Sequence, residues 1–261
     1  MSDLVLSSLD DGVLTLTFNR PDRLNAWTGA LGRRYFDLLD EADRDPGVRV
    51  IVVTGAGRGF CAGADFETLA AIRDGSYDEE QDRRPGTHPT TIRKPIIAAV
   101  NGACAGFGML QALVCDLVFT AAEAKWTTAF ARLGLIAEYG LAWVLPKLAG
   151  QARAMELLLS GRTFTGAEAG RLGLAWRVTP GERLAEEVAG YARELAARSS
   201  PASMAVIKRQ VWGDWETTLD ASSAEAFRLM IESFARRDFA EGVASHLERR
   251  PPAFPPLGRP D

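Results

Sequence analysis

The chain has 261 residues, 30 basic and 34 acidic, for a formal net charge of −4, and is 47% hydrophobic and 25% charged, which fits one α/β core with a smaller terminal appendage. Nothing in the Gly, Pro or Cys content points to a collagen-like, disordered or disulfide-stapled chain. The slight acidic balance gives no global positive field for nucleic acid or an acidic membrane, so neither is an expected partner, and an anionic ligand needs a local basic patch.

The opening residues Met-Ser-Asp-Leu lack a basic region followed by an apolar one, and no apolar run reaches membrane-spanning length. Val13, Thr15 and Thr17 alternate with Leu14, Leu16 and Phe18 after a turn at Asp10-Asp11-Gly12, which predicts a hairpin. Thr28 is placed to cap a helix with Leu31, Tyr35, Leu38, Leu39 and Ala42 on one face, ended by Asp45-Pro46-Gly47. Buried strands are expected at Val48 to Val53 and Pro95 to Val100, separated by a polar, Gly-rich mobile loop from Asp74 to His88. Further on come a helix from Gly106 to Cys115, a strand from Leu117 to Thr120, and Ala- and Leu-rich helices between Gly140 and Gly161. The pattern Thr165-Gly-Ala-Glu168 opens another helix that stops at Gly173 before a strand from Leu174 to Val178. Beyond Pro201 only helical patterns recur, at Met204 to Trp212, Leu219 to Phe234 and Asp238 to Glu248.

Cys61, Cys104 and Cys115 cannot all pair and show no metal-ligand spacing, the pattern of a reducing cytoplasm, which is the expected location. His88 and His246 are the only histidines and read as surface residues rather than as parts of a triad or metal site. Two stretches share one grammar of buried strand, Gly-rich turn and helix: Val50 through Gly55, Gly57, Gly59, Gly63, Ala64 and Asp65, and Ile97 through Gly102, Gly106, Phe107 and Gly108. The first is not a dinucleotide fingerprint, because Phe60 stands where the third glycine is required. A turn that opens a helix presents unpaired N–H groups able to bind a phosphate or an oxyanion, and two such turns on adjacent strands can aim at one point. Taken singly, each set of glycines is better read as serving tight turns and close helix–strand packing.

Together these stretches resemble the crotonase superfamily, the enoyl-CoA hydratase/isomerase family. The resemblance rests on Asn19-Arg20-Pro21, Leu24-Asn25-Ala26, the run from Phe60 to Asp65, Asn101-Gly102-Ala103, Gly106-Phe107-Gly108, Cys115-Asp116, Gly134-Leu135, the Glu156 to Gly161 helix, and Ala167, Ala169 and Gly173-Leu174, in the family's order across roughly residues 4 to 255. It implies an α/β crotonase-like spiral of ββα units over residues 1–200 and a helical region over residues 201–261 that builds a homotrimer, often a dimer of trimers. It also implies an acyl-CoA thioester substrate, with coenzyme A entering as part of the substrate and no other cofactor or metal. The thioester oxygen would accept from the amides of Ala64 and Phe107. The acyl-CoA would lie against Arg23, Leu24, Ala26, Ala62, Asp65, Phe66, Gly106, Leu110, Phe130 and Tyr139. Phe107 replaces the family's usual Gly, and its ring is expected to narrow the acyl pocket or bias the turn.

Hydratases of this family split water between two glutamates, and the corresponding positions here are Leu110 and Phe130, neither of which carries a proton. Eight residues past Phe130, Glu138 stands where family isomerases and dehalogenases have a functional Asp. Its neighbours Leu135, Ile136, Leu141 and Trp143 are apolar, so a raised pKa suited to a general base is expected. Residue chemistry alone leaves open a first-turn role stabilising the helix near Gly140 by about 0.3–1 kcal/mol. One carboxylate with an oxyanion hole suffices for a 1,3-proton shift, so the expected activity is double-bond isomerisation. The alternatives are hydration by Glu138 alone, thioester or carbon–carbon hydrolysis, and a non-catalytic acyl-CoA-binding scaffold. Arg20, Arg23 and Arg58 are candidates for the CoA phosphates, Asp65 and Asp116 look structural, and Trp126, Tyr139 and Trp143 are candidates for lining the acyl pocket.

Overall fold

The computed structural model describes residues 3–76 and 84–258. Strands β1 (Val5–Asp10) and β2 (Val13–Phe18) form the expected antiparallel hairpin. Its turn places both Asp11 (φ 46°) and Gly12 (φ 78°) in the left-handed region, the twist that suits a two-residue hairpin. Helix α1 (Gly29–Arg44) starts where the Thr28 side chain accepts from the Leu31 amide, and buries Leu31, Tyr35, Leu38, Leu39 and Ala42. Its C-terminus is closed by the buried Lys94, whose ammonium donates to the carbonyls of Ala42 and Asp45.

From here the chain moves between two sheets. Strands β3 (Val50–Gly55), β5 (Ile96–Val100), β7 (Leu117–Ala121) and β10 (Arg177–Thr179) join the hairpin in a six-stranded sheet of order β1-β2-β3-β5-β7-β10, parallel from β2 onward. Short strands β4 (Gly59–Cys61), β6 (Ala103–Ala105), β8 (Lys125–Thr127) and β9 (Phe164–Thr165) form a second sheet, with only β8–β9 antiparallel. Helix α2 (Phe66–Arg73) follows β4 and helix α3 (Phe107–Leu113) follows β6. Each unit is therefore long strand, short strand, helix. This corrects the simple strand–turn–helix grammar read from the glycines. Gly55 and Gly102 serve the jump between sheets: an added Cβ would come within 2.1 Å of the Gly59 carbonyl at Gly55 and 2.0 Å of the Arg58 carbonyl at Gly102.

Helices α4 (Leu141–Ala149), α5 (Gln151–Ser160) and α6 (Gly166–Arg171) follow, the last opened by Thr165 accepting from the Glu168 amide. The strand expected at Leu174 to Val178 lies at Arg177–Thr179 instead; Leu174 and Ala175 are buried in the approach to it. Helix α7 (Gly181–Arg198), absent from the sequence reading, packs Leu184, Val188, Ala192 and Ala196 on the six-stranded sheet. Helices α8 (Pro201–Gly213), α9 (Leu219–Phe234) and α10 (Arg237–Glu248) follow without a strand.

One buried ion pair ties α8 to the core. Lys208 Nζ lies 2.8 Å from Asp116 Oδ2 and donates to the carbonyls of Pro89 and Lys94, while Asp116 also accepts from the Ile96 amide and Trp212 Nε1. Asp116 thus has the structural surroundings read from the sequence. With side-chain exposures of 5% for Lys208 and 18% for Asp116, Lys208→Met leaves a largely desolvated carboxylate and is expected to cost about 3–5 kcal/mol. Urea unfolding at fixed protein concentration checks this, and a variant within about 1 kcal/mol of the parent contradicts it.

The expected mobile segment from Asp74 to His88 lies in part outside the described residues. Its described C-terminal end is fastened to α1: Arg84 pairs with Asp37 and Asp40, and His88 Nε2 lies 2.7 Å from Asp40 Oδ1. His88 is therefore not a free surface residue; its ring also meets Phe36 edge-on. His246 is exposed. The three cysteines are buried free thiols, and burial pushes the Cys61 thiol up to about 12.

Candidate active site

Strands β4 and β6 are parallel neighbours, and each runs into a left-handed glycine, Gly63 (φ 89°) after β4 and Gly106 (φ 49°) after β6. The two turns touch. A Cβ on Gly63 would stand 2.9 Å from the Ala105 carbonyl, and one on Gly108 would stand 2.1 Å from the Cys61 carbonyl, so only glycine permits this approach. Ala64 and Phe107 are the residues that follow. Neither backbone N–H has a protein acceptor among the described residues, and Phe107 opens α3, where first-turn amides lack intrahelical partners. The structure thus brings together two unpaired donors from turns far apart in sequence. Ala64 is exposed, while Gly106 and Phe107 are buried.

The segment 23–27 runs alongside the first turn. The Ala62 amide donates to the Leu24 carbonyl, the Trp27 amide to the Gly63 carbonyl, and the Asp65 amide to the Trp27 carbonyl, which brackets Ala64. Asn25, fully buried with φ 56°, accepts from the Arg20 amide, closing its own loop, and donates from Nδ2 to the carbonyls of Ala56 and Gly59, holding that loop to the β3–β4 turn. Ala26 is buried beside it, Leu24 is half-buried, and Phe66 is exposed at the start of α2.

Asp65 caps α2 by accepting from the Glu67 amide, and its other oxygen lies 2.8 Å from Arg20 Nη2; against the opposing effect of burial, the Glu67 amide and then Arg20 hold its carboxyl below the usual carboxylate range. Arg20 also donates to the Ala26 carbonyl. Two of its guanidinium donors are thus committed within the fold. Arg23 is exposed and 2.8 Å from Glu67, and Arg58 is exposed without a side-chain partner among the described residues.

The second flank is the stretch from Ala129 to Gly140, bent by left-handed residues at Ala129, Gly134, Tyr139 and Gly140. Leu110 and Phe130 are buried apolar residues beside the second turn; the Phe130 ring lies 3.6 Å from where a Gly106 Cβ would be. Glu138 is half-buried, and its carboxylate has neither hydrogen bond nor ion pair among the described residues. Burial raises its pKa above the ordinary value, with no charged neighbour contributing. Next to it, the Tyr139 ring stands edge-on to the Phe107 ring, centroids 4.6 Å apart at 82°. Glu123, the one acidic residue between Asp116 and Gly134, lies at the start of α7, beside Gly181.

Several participants were not singled out from the sequence. Trp27 packs its ring 4.6 Å from that of Phe107, and Gly86 lies against Phe107 and Leu110 while its carbonyl accepts from Gln111 Nε2. A tryptophan directly after Leu24-Asn25-Ala26 was the available signal. Trp126, by contrast, is core: it is fully buried, donates to Thr120 Oγ1 and stacks on Phe164. Trp143 packs on Trp215 and Lys147 at the edge of a cavity of about 820 Å³ lined by none of Ala64, Phe107 and Glu138. Among the described residues no three His, Cys, Asp or Glu side chains cluster as a metal site would need, and no helix is long and apolar enough to cross a membrane.

A spiral of ββα units closed by C-terminal helices is the fold of the crotonase class. The chain belongs to the enoyl-CoA hydratase/isomerase family, whose sequence pattern it matches over residues 8–256, and is an enzyme of that class. It is 36% identical to a 1,2-epoxyphenylacetyl-CoA isomerase of Escherichia coli, over 97% of this chain and 99% of that one. Among solved structures it is similar to an enoyl-CoA hydratase from Mycobacterium tuberculosis (30% identity, TM-score 0.89, 96% and 98% of the two chains). A second, from Mycobacterium marinum, is 50% identical (TM-score 0.71, 82% and 98%).

Proposed function

We propose that this protein shifts the double bond of an enoyl-CoA thioester, with the amides of Ala64 and Phe107 holding the thioester oxygen and Glu138 moving the proton. The observation that carries this reading is the unpaired, half-buried carboxylate of Glu138, which adjoins the ring that packs on Phe107, beside two buried apolar residues, Leu110 and Phe130, at the positions the resemblance assigns to the family's hydratase glutamates. From a 3-enoyl-CoA, the Glu138 carboxylate takes a proton from C2, the carbon between the thioester carbonyl and the double bond. That C–H pair becomes part of a dienolate, and the carbonyl pair moves onto oxygen, where the two N–H groups receive the charge. The protonated Glu138 then returns the proton to a different carbon of the same dienolate. No atom is gained or lost, so no second acid is required.

Arg23 and Arg58, both exposed, suit the CoA phosphates. Exposed apolar residues on α9 and α10, among them Phe227, Ile231, Phe234 and Leu247, support assembly as a homotrimer or dimer of trimers. The location fitting this reading is the cytoplasm, with coenzyme A present only as part of the substrate.

Because Glu138 acts as its carboxylate, activity is present above its pKa and lost as the pH falls through it. Burial raises that pKa, so the acid limb of kcat/KM is expected above the position of an ordinary exposed glutamate. A pH–rate profile checks this; a limb at the ordinary value contradicts it. The activity itself is tested by offering a 3-enoyl-CoA and crotonyl-CoA side by side. Isomerisation of the former with slow water addition to the latter is expected, and rapid hydration of crotonyl-CoA overturns the reading in favour of hydration by Glu138 alone.

A further inference from the structure

We infer that the rings of Trp27, Phe107 and Tyr139 form a clamp that fixes the proton-transferring segment against the two donor turns, with Tyr139 as the positioning residue for Glu138. The inference rests on Glu138 being the base.

Three observations converge. The backbone of Trp27 is bonded on both sides of Ala64, to Gly63 and Asp65, so its ring reports the position of the first donor. That ring lies 4.6 Å from the ring of Phe107, whose own amide is the second donor. The ring of Phe107 also forms a T-shaped pair with that of Tyr139, centroids 4.6 Å apart at 82°, the favoured geometry of an aromatic pair. The row thus passes from first donor to second donor to the residue adjoining Glu138.

The stretch holding Glu138 needs such an anchor. Backbone hydrogen bonds of residues 134 to 140 reach only Phe130, Ala131 and the first turn of α4, and the side chains of residues 134 to 140 make none among the described residues. Leu135 packs on the core near its beginning, and Tyr139 docks near its end. Tyr139 sits at φ 55°, a conformation that bulky residues rarely take, beside Gly140 at φ 91°, which takes it freely. The ring contact with Phe107 offsets that strain and turns the preceding carboxylate to a defined place.

Tyr139→Ala, Tyr139→Phe and Glu138→Gln test the clamp, each confirmed as folded by circular dichroism and melting. Tyr139→Ala is expected to lower kcat about 10- to 100-fold on a 3-enoyl-CoA with a much smaller change in KM, since a displacement of about 1 Å costs on this order. It is also expected to move the acid limb of the pH profile down toward that of an exposed carboxylate. Tyr139→Phe keeps the ring and is expected to restore most of kcat and the position of the limb. Unchanged kcat and limb in Tyr139→Ala overturn the clamp, as does a Tyr139→Phe variant as impaired as Tyr139→Ala, which transfers the role to the hydroxyl. Full activity in Glu138→Gln overturns the base assignment itself, a result distinct from either.

Discussion

Glu138→Gln is expected to reduce kcat for double-bond migration by about 10²–10⁴-fold, the usual worth of a positioned general base. The amide has the shape of the carboxylate but cannot accept the proton, and the carboxylate it replaces has no hydrogen bond or ion pair in the described structure, so no fold contact is lost. The folded protein disfavours the ionised form of this side chain. Removing the charge should therefore leave the melting temperature at neutral pH unchanged or raised. Substrate binding should persist, since the two amides and the exposed arginines are untouched. A variant with wild-type kcat removes Glu138 from the reaction; one that melts far below the parent shows that the side chain was structural.

The second large effect concerns the donor supplied by Phe107. A proline at this position deletes the N–H but is compatible with the fold, because Phe107 is the first residue of α3 and proline is well tolerated there. Since any replacement also deletes the ring, the informative comparison is Phe107→Pro against Phe107→Ala, which loses the ring and keeps the donor. The proline variant is expected to fall a further 10²–10³-fold in kcat, about 2.7–4 kcal/mol, the loss typical of one oxyanion donor. Equal activities for the two variants would mean that the Phe107 amide does not meet developing charge.

The parts of the fold that were legible in the sequence are those in which local pattern and final environment agree. Helix α1 buries the side chains that recur at helical spacing from Leu31 to Ala42, and β2 has the alternation of a strand bounded by the Asp11-Gly12 turn. Strands β4, β6, β8 and β9 are two or three residues long, too short to carry a period, and exist because neighbouring strands complete their hydrogen bonds. Helix α7 had a usable signal at Leu184, Val188, Ala192 and Ala196, weakened by the small alanine contribution to an apolar face.

Within the candidate site, the residue types were legible and their partners were not. Glycines at 63 and 106 marked special backbone, but that the two turns touch follows from the register of β4 on β6. Arg20 read as a free cation until Asp65 and the Ala26 carbonyl were found beside it, and His88 as a surface group until Asp40 was. Trp27 and Tyr139 flank Phe107 from segments more than a hundred residues apart in the chain. Such contacts are products of tertiary packing, with no local period to announce them.

The most direct test of this account is the structure of the protein bound to an unreactive acyl-CoA thioester. The expected result is a thioester oxygen about 2.7–3.1 Å from both the Ala64 and Phe107 nitrogens, with the Glu138 carboxylate facing the carbons beside the carbonyl. A thioester oxygen pointing away from those two nitrogens, or a Glu138 side chain turned to solvent with the acyl chain in place, would contradict it.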